Sequence, residues 1–313
     1  MPQIGFICPN GTRVSHEDCF KKCVMGRRCL TLPTLMEMGR SRTWKGRVSV
    51  TDCLKGTMEA FLRYTVNYHV NPQHMAWMLL GTRHHSLLEK SAKERIVGAL
   101  SEEKIVDDLG ISGISDLVDK DEENPNAYVL TDYKVWGSYM MAKALGIVKI
   151  ERPDPAGGVF KSGPRKGMDR TIAVFAEDPT RVDLFDAEMQ LNYYRIQLEK
   201  TGYPISRMQI QATARDGKTQ SARSRGVTAA MYLFDIKRLN DKMVLDFFEN
   251  KRNLLLSAMS SGICNSPCYE RERWEDMKCI RGLTDGFCPV CMSCPLGRKL
   301  AQGTEIRDMS EEL

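Results

Sequence analysis

The sequence predicts an α/β fold, in which a mixed β-sheet is flanked by helices and a cysteine-rich metal-binding segment lies at each end. Helical and strand patterns alternate through the middle of the chain, which is typical of a sheet covered by helices. Ten of the 11 cysteines fall in the first thirty or the last fifty residues. We therefore divide the chain into an N-terminal segment 1–54, a core 55–260 and a C-terminal segment 261–313.

The first element of the core is expected to be a helix that begins at Asn71-Pro72. Asparagine caps helices well, and proline is tolerated in the first helical turn because its missing amide would have no partner there. The spacing of Met75, Met78 and Leu79 indicates that these side chains point inward.

The later elements of the core alternate between the two-residue period of a strand and the 3.6-residue period of a helix. Two strands flank a turn rich in Asp, Glu, Asn and Pro, and a helix, two more strands and a long helix follow. The stretch 148–181 is rich in Pro, Gly and charge and is expected to be an inserted or mobile loop. The expected bounds are 111–119 and 127–136 for the first strands, 183–200 for the helix, 205–214 and 228–236 for the next strands, and 241–259 for the long helix.

The composition predicts a globular protein without a membrane-spanning segment. Hydrophobic residues make up 42% and charged residues 27% of the 313 residues, which is ordinary for a globular protein. No apolar run approaches the ~18 residues of a membrane span, and residues 1–10 lack the pattern of a secretory signal. We therefore expect a cytoplasmic protein with no membrane partner, where clustered cysteines favour metal binding over disulfides.

Acidic residues and a lysine recur on two expected strands. In Asp132-Tyr133-Lys134, strand alternation places the carboxylate and the ammonium on one face. An Asp/Glu-x-Lys pattern occurs six times in the chain, so this pattern alone indicates little. Asp116 lies on the preceding strand, however, and hairpin pairing would bring it beside Asp132. Two converging carboxylates favour a divalent cation between them.

Two helical pairs accompany these acids. His85 and Glu89 are four residues apart and share a helix face, and so do Gln190 and Tyr194. A single helical histidine is more often a surface or core residue than a ligand. The adjacent His84 leaves open which histidine faces a metal.

In this order, these motifs resemble the PD-(D/E)XK nuclease superfamily, in particular its RecB-like branch and the CRISPR-adaptation-associated exonucleases within that branch. The resemblance covers roughly residues 75–240 and the cysteine arrangement. It rests on four paired positions: Gly81 and His85, Gly113 and Asp116, Asp132 and Lys134, and Gln190 and Tyr194.

The resemblance implies a restriction-endonuclease-like core that hydrolyses DNA phosphodiester bonds with Mg²⁺ or Mn²⁺, and exonuclease action is expected. It implies four metal ligands: His85, Asp116, Asp132 and the carbonyl of Tyr133. It also implies that Lys134 is the catalytic lysine, and that Gln190 and Tyr194 position the site or the DNA.

The same family often holds an iron–sulfur cluster, with one cysteine before the core and three after it. The resemblance thus implies a [4Fe-4S] cluster that clamps the chain ends together. The implied ligands are Cys29, Cys279, Cys288 and Cys294, with Cys264, Cys268 and Cys291 as alternates.

The remaining N-terminal cysteines suit a structural zinc ion. These are Cys8, Cys19 and Cys23, completed by His16 or by a C-terminal cysteine. Two zinc sites without iron are the alternative, because both metals accept four thiolates. Cys53 stands alone and is expected to be a small buried apolar residue.

The net charge of +5 is compatible with a nucleic-acid partner but does not by itself indicate one. The basic segment 215–225 is a hypothetical DNA contact. A helicase motor does not fit in this length, so the DNA is expected to be single-stranded or free-ended, or a helicase or other DNA-processing partner must open it. The alternative function is a non-catalytic DNA-binding or assembly module with structural zinc.

Overall fold

The computed structural model describes residues 2–40, 43–282 and 284–303. Its strands and helices alternate, so the predicted α/β class is confirmed. The strands are β1 (Gln3–Ile7), β2 (Arg13–Ser15), β3 (Tyr68–Val70), β4 (Leu100–Val106), β5 (Ser112–Lys120), β6 (Tyr128–Trp136), β7 (Ile147–Pro153), β8 (Thr171–Glu177), β9 (Ile205–Ala214) and β10 (Met231–Ile236).

Helices lie between several of these strands, and 3₁₀ turns lie at Pro72–Met75, Pro179–Arg181, Arg271–Arg273 and Cys291–Ser293. The α-helices are α1 (His16–Lys21), α2 (Leu32–Met38), α3 (Val50–Cys53), α4 (Thr57–Thr65), α5 (Ala76–Arg95), α6 (Ser138–Ala144), α7 (Phe185–Lys200), α8 (Gln220–Ser224), α9 (Asp241–Ser261), α10 (Met277–Ile280) and α11 (Pro295–Gly303). No helix in the described ranges has both the length and the apolar composition that a membrane span requires.

The chain folds into two compact units, and the predicted core 55–260 is shared between them. Among the described residues, the first unit contains 2–83, 104–114 and 240–303, and the second contains 84–103 and 115–239. In the first unit, β1 lies between β2 and β3, and a small apolar core forms around Phe6, Val14 and Leu35.

A five-stranded sheet in the order β10-β9-β6-β5-β4 carries most of the second unit. β6 pairs antiparallel with β5 and parallel with β9, so the sheet is mixed, as predicted. Helix α7 contacts β6, β9 and β10, and most of its residues are buried.

The six elements predicted after residue 110 agree with the structure to within a few residues, but the sequence did not predict the short helices α6, α8, α10 and α11. The segment expected to be a loop forms the antiparallel hairpin β7–β8. Half-buried and exposed residues alternate along much of both strands, which suits a half-exposed ribbon. The Pro- and Gly-rich residues lie between the strands.

The first predicted helix differs in detail. Residues Pro72–Met75 form a 3₁₀ turn, and α5 begins directly after this turn. Met75 and Leu79 pack against the small apolar core, as expected. The inward orientation predicted for Met78 is wrong, because its side chain is 44% exposed.

Asn192 connects α7 to the chain that follows β10. Its amide nitrogen donates to the Glu188 carbonyl at 2.8 Å and to the Lys237 carbonyl at 2.9 Å. Its amide oxygen accepts from the Leu239 amide at 2.9 Å, and the residue is fully buried. This buried side chain therefore joins α7 to the chain after β10 through part-buried hydrogen bonds to three backbone groups.

We expect Asn192→Ala to lower the free energy of unfolding by about 2–4 kcal/mol, because it removes three hydrogen bonds and leaves a space where a fully buried side chain lay. Urea unfolding of the purified protein measures this change. Asn253→Ala, at an exposed position on α9, is the matched control and should change it by less than about 0.5 kcal/mol. Equal effects of the two substitutions would contradict this role of Asn192.

Candidate metal centres

The pairing of β5 with β6 brings two aspartates of the second unit together. Leu117 pairs with Thr131, so Asp116 lies beside the segment that contains Asp132. The Tyr133 amide donates to Asp116 Oδ2 at 2.7 Å. This hydrogen bond fixes the carboxylate of Asp116 against β6.

His85 reaches the same carboxylate from α5. Its Nδ1 lies 3.3 Å from Asp116 Oδ2. The hydrogen bond to Asp116 raises the pKa of His85 above its ordinary value, burial opposes the rise, and the charges of Asp116 and Asp132 add to it. The neighbouring acids therefore favour the protonated, cationic form of this imidazole.

His84 occupies a different environment. Its ring packs edge-on against the Tyr133 ring, with centroids 6.3 Å apart. Burial, and then the neighbouring His85, lowers the pKa of His84. Of the two histidines that the sequence left open, His85 is the one that lies against Asp116.

Glu102 on β4 completes a group that the sequence did not reveal. One ligand atom each from His85, Glu102 and Asp116 lies within 4.8 Å of the others, and this is the one such group among the described residues. Burial raises the pKa of Glu102, and the Asp116 carboxylate raises it further.

The backbone of Glu102 is unusual, with a φ of 56°. Non-glycine residues seldom adopt this conformation, and such residues often lie at functional sites. In the sequence, Glu102 belongs only to one of the six Asp/Glu-x-Lys patterns, and β4 was not predicted. No sequence signal therefore singled it out.

Asp132 and Lys134 form an ion pair on β6, and Gln190 on α7 bridges them. Lys134 Nζ lies 2.7 Å from Asp132 Oδ2 and donates to Gln190 Oε1 at 3.3 Å. Gln190 Nε2 lies 3.3 Å from Asp132 Oδ1 and 3.4 Å from the Tyr194 hydroxyl. The predicted residues Asp132, Lys134, Gln190 and Tyr194 are thus brought together.

Asp132 is the most deeply buried of these acids, with 2% of its surface exposed. Burial raises its pKa, the Lys134 ammonium opposes the rise, and the Asp116 carboxylate adds to it. Carboxylate oxygens and an imidazole are suitable ligands for a hard divalent cation, which would relieve this crowding of negative charge.

The C-terminal cysteines line one largely apolar cavity of the first unit, with a volume of about 290 Å³. Its cysteines are Cys268, Cys279, Cys288, Cys291 and Cys294. Burial raises the pKa of Cys279, and the neighbouring thiols of Cys294 and Cys291 raise it further. A Cβ added to Gly282 would lie 2.9 Å from the Cys291 sulfur, so glycine is needed for this close approach.

The N-terminal cysteines form a separate group in the same unit. Cys8, Cys19, Cys23 and Cys29 line a cavity of about 10 Å³. Cys29 was expected to join Cys279, Cys288 and Cys294, but it lines this small cavity and is not among the residues around the large one.

Two other residues of the sequence prediction, His16 and Cys53, lie outside both cysteine cavities. His16 packs against the rings of Phe6 and Phe20 and does not line the small cavity. Cys53 is buried and alone, as expected. Burial raises the pKa of Cys53 to about 12, so its thiol stays protonated at neutral pH.

The basic segment 215–225 is partly structural. Asp216 accepts hydrogen bonds from the Ser138 amide at 2.7 Å and from its hydroxyl at 2.6 Å. Arg225 donates to the same hydroxyl at 2.9 Å. At least one of its arginines therefore helps to hold the start of α6 in place.

Comparison with known proteins does not indicate a function for this chain. No protein-family model and no curated protein matches the chain. Among solved structures, one described as "Crystal structure of SSO0001" is 12% identical, covers 84% of this chain and 92% of its own, and has a TM-score of 0.42.

In the metal-free protein we expect the pKa of His85 to lie above 6.5, its ordinary value. A raised pKa contributes folding stability that is complete below the unfolded value and is lost as the pH rises through the folded value. Asp116→Asn should bring the pKa to 6.5 or below, because burial then opposes the charged imidazole without its main partner.

An NMR titration of the His85 ring protons measures both values. Asp119→Asn, on the same strand, is the matched control and should leave the His85 pKa unchanged. A wild-type pKa below 6.5, or one that does not respond to Asp116→Asn, would contradict the pairing.

Proposed function

We propose that the chain is a divalent-metal-dependent DNA nuclease with a restriction-endonuclease-like core of the RecB-like type. The observation that carries the proposal is the convergence of His85, Glu102 and Asp116 beside the Asp132–Lys134 ion pair. Aspartate or glutamate, a lysine and a divalent cation are the groups that phosphodiester hydrolysis needs.

Four side chains would hold Mg²⁺ or Mn²⁺: His85, Glu102, Asp116 and Asp132. The donor set fits, because three carboxylates are hard oxygen ligands, one imidazole is a borderline nitrogen ligand, and Asp132 is buried beside like charge. When bound, such an ion polarises a phosphoryl oxygen and lowers the pKa of a coordinated water. A backbone ligand at the Tyr133 carbonyl stays a prediction.

Lys134 and Gln190 would position the groups that react. The ammonium of Lys134 lies at hydrogen-bond distance from both Asp132 and Gln190, so its position is set from two sides. Its charge stabilises the negative charge that develops on phosphate, and its protons can hold the attacking water. Gln190 orients the lysine through its oxygen and the aspartate through its nitrogen.

The proposed substrate class rests on the acidic site and the resemblance. The net charge of +5 is compatible with a polyanionic substrate. We propose single-stranded or free-ended DNA as substrate, exonuclease action, and a separate helicase or similar partner where the DNA must be opened.

The C-terminal cysteines are proposed to hold an iron–sulfur cluster. Cys279, Cys288, Cys291 and Cys294 line one cavity. After burial, the nearby Cys291 contributes to the raised pKa of Cys279 and of Cys288. Cys294 contributes to the raised pKa of Cys279 and of Cys291. Four thiolates around an apolar space suit such a cluster. Gly282 can lie close to the Cys291 sulfur because it has no side chain. The chemistry of the cluster here is structural, because the cluster cross-links the chain that follows α9.

Asp116→Asn and Asp132→Asn should each abolish cleavage and metal binding, because each removes an anionic ligand. Lys134→Ala should lower the cleavage rate by about 10²–10³-fold but keep metal binding, since a lysine is not a ligand. Labelled single- and double-stranded DNA with Mg²⁺, Mn²⁺ or chelator measures cleavage, and calorimetric Mn²⁺ titration measures binding.

Asp235→Asn is the matched control, because Asp235 also belongs to an Asp-x-Lys pattern but lies exposed on β10. It should cut DNA at the wild-type rate. DNA that is bound but uncut in both metals would indicate the non-catalytic DNA-binding module. Wild-type cleavage by Asp132→Asn would show that the active site is elsewhere.

For the cluster, we expect anaerobically purified protein to be brown and to contain iron and acid-labile sulfide. Cys291→Ser should lose the colour and the iron, because Cys291 is buried in the cavity. Cys264→Ser is the matched control, since Cys264 does not line the cavity, and it should keep both. Iron-free wild-type protein prepared without oxygen would contradict the cluster.

A further inference from the structure

The four N-terminal cysteines are arranged by short local turns. The Gly11 amide donates to the Cys8 carbonyl at 2.8 Å, and the Gly26 amide donates to the Cys23 carbonyl at 3.1 Å. Both glycines have positive φ values, 82° and 81°. The same Cys-x-x-Gly turn therefore follows two of the cysteines.

The other two cysteines come from adjoining elements. Cys19 lies on α1 and is buried in the small apolar core, which Cys8 also contacts. Cys29 lies in the chain that leads to α2 and lines the same cavity as the other three. Cys19 and Cys23 are separated by three residues, which is within the usual spacing of zinc ligands.

The size of the cavity distinguishes one ion from a cluster. About 10 Å³ is the space of roughly one water-sized particle, whereas the C-terminal cavity of about 290 Å³ is many times larger. Arg28 lines the small cavity, so a positive charge stands beside the thiolates that a metal would require.

We propose that Cys8, Cys19, Cys23 and Cys29 bind one Zn²⁺ ion in a closed four-thiolate site that is independent of the C-terminal cysteines. The ion ties the β1–β2 hairpin, α1 and the chain before α2 together. This region has only a small apolar core, and small domains of that kind commonly need such a cross-link.

Zinc binding requires the sulfurs to close in. Among the described residues, no three of these sulfurs lie within 4.8 Å of one another. Tetrahedral ligation at about 2.3 Å places sulfurs about 3.8 Å apart. The exposed Cys29 and the half-buried Cys23 are the side chains that rotate inward.

The test is metal analysis of the purified full-length chain, with X-ray absorption at the zinc edge. We expect about one zinc per chain, surrounded by four sulfurs at about 2.3 Å. Cys29→Ser should lose most of the zinc and keep its iron. Cys29→His should retain zinc with three sulfurs and one nitrogen, because histidine can replace a thiolate in such a site.

Cys53→Ala is the matched cysteine control and should keep its zinc. The absorption measurement on the wild-type chain holds even if the serine variant fails to fold. Three results would overturn the proposal: wild-type protein without zinc, zinc with fewer than four sulfur ligands, or Cys29→Ser protein that keeps its zinc and loses its iron. None of these depends on whether the chain cuts DNA.

Discussion

Three acidic side chains lie close together on β4, β5 and β6, and the fold of the second unit has to accommodate their negative charge. Asp132 is almost fully buried, and Asp116 and Glu102 lie close by. Burial and like charge raise the pKa of Asp132 and of Glu102, so ionising both acids costs free energy. The Lys134 ammonium lies against Asp132, and the acids favour the cationic form of His85, so both side chains reduce this cost. Under the proposed function, a divalent cation would take over that role.

The candidate metal centres are divided between the two units. The carboxylates belong to the second unit, on strands held by sheet pairing and by α7. The clustered cysteines belong to the first unit, and the N-terminal group lies among local turns and short helices around a small apolar core. The proposed thiolate-bound metal would stabilise that region by cross-linking it. The acidic site needs no such cross-link, because a continuous sheet already positions it.

The sequence was most informative where local geometry decides the structure. Strand alternation and a hairpin are enough to place Asp116 near Asp132, and helical spacing places Gln190 near Tyr194. Glu102 was missed because its role depends on a strained backbone and on an unpredicted strand. Cys29 lies with the other N-terminal cysteines and not at the large cavity; spacing along the chain does not show which turns close on one another. The hairpin β7–β8 was hidden by the Pro- and Gly-rich residues between its strands.

A thiophosphate rescue experiment tests the central claim, that the acidic group holds a cation in contact with the scissile phosphate. DNA carrying sulfur in place of a non-bridging oxygen at the cleaved position is incubated with Mg²⁺ or with Mn²⁺. Sulfur binds the softer Mn²⁺ better than it binds Mg²⁺. The account predicts slow cleavage of one thiophosphate isomer in Mg²⁺ and recovery in Mn²⁺, while unmodified DNA is cut in both. Equal rates for both isomers in both metals, or cleavage that persists in chelator, would contradict it.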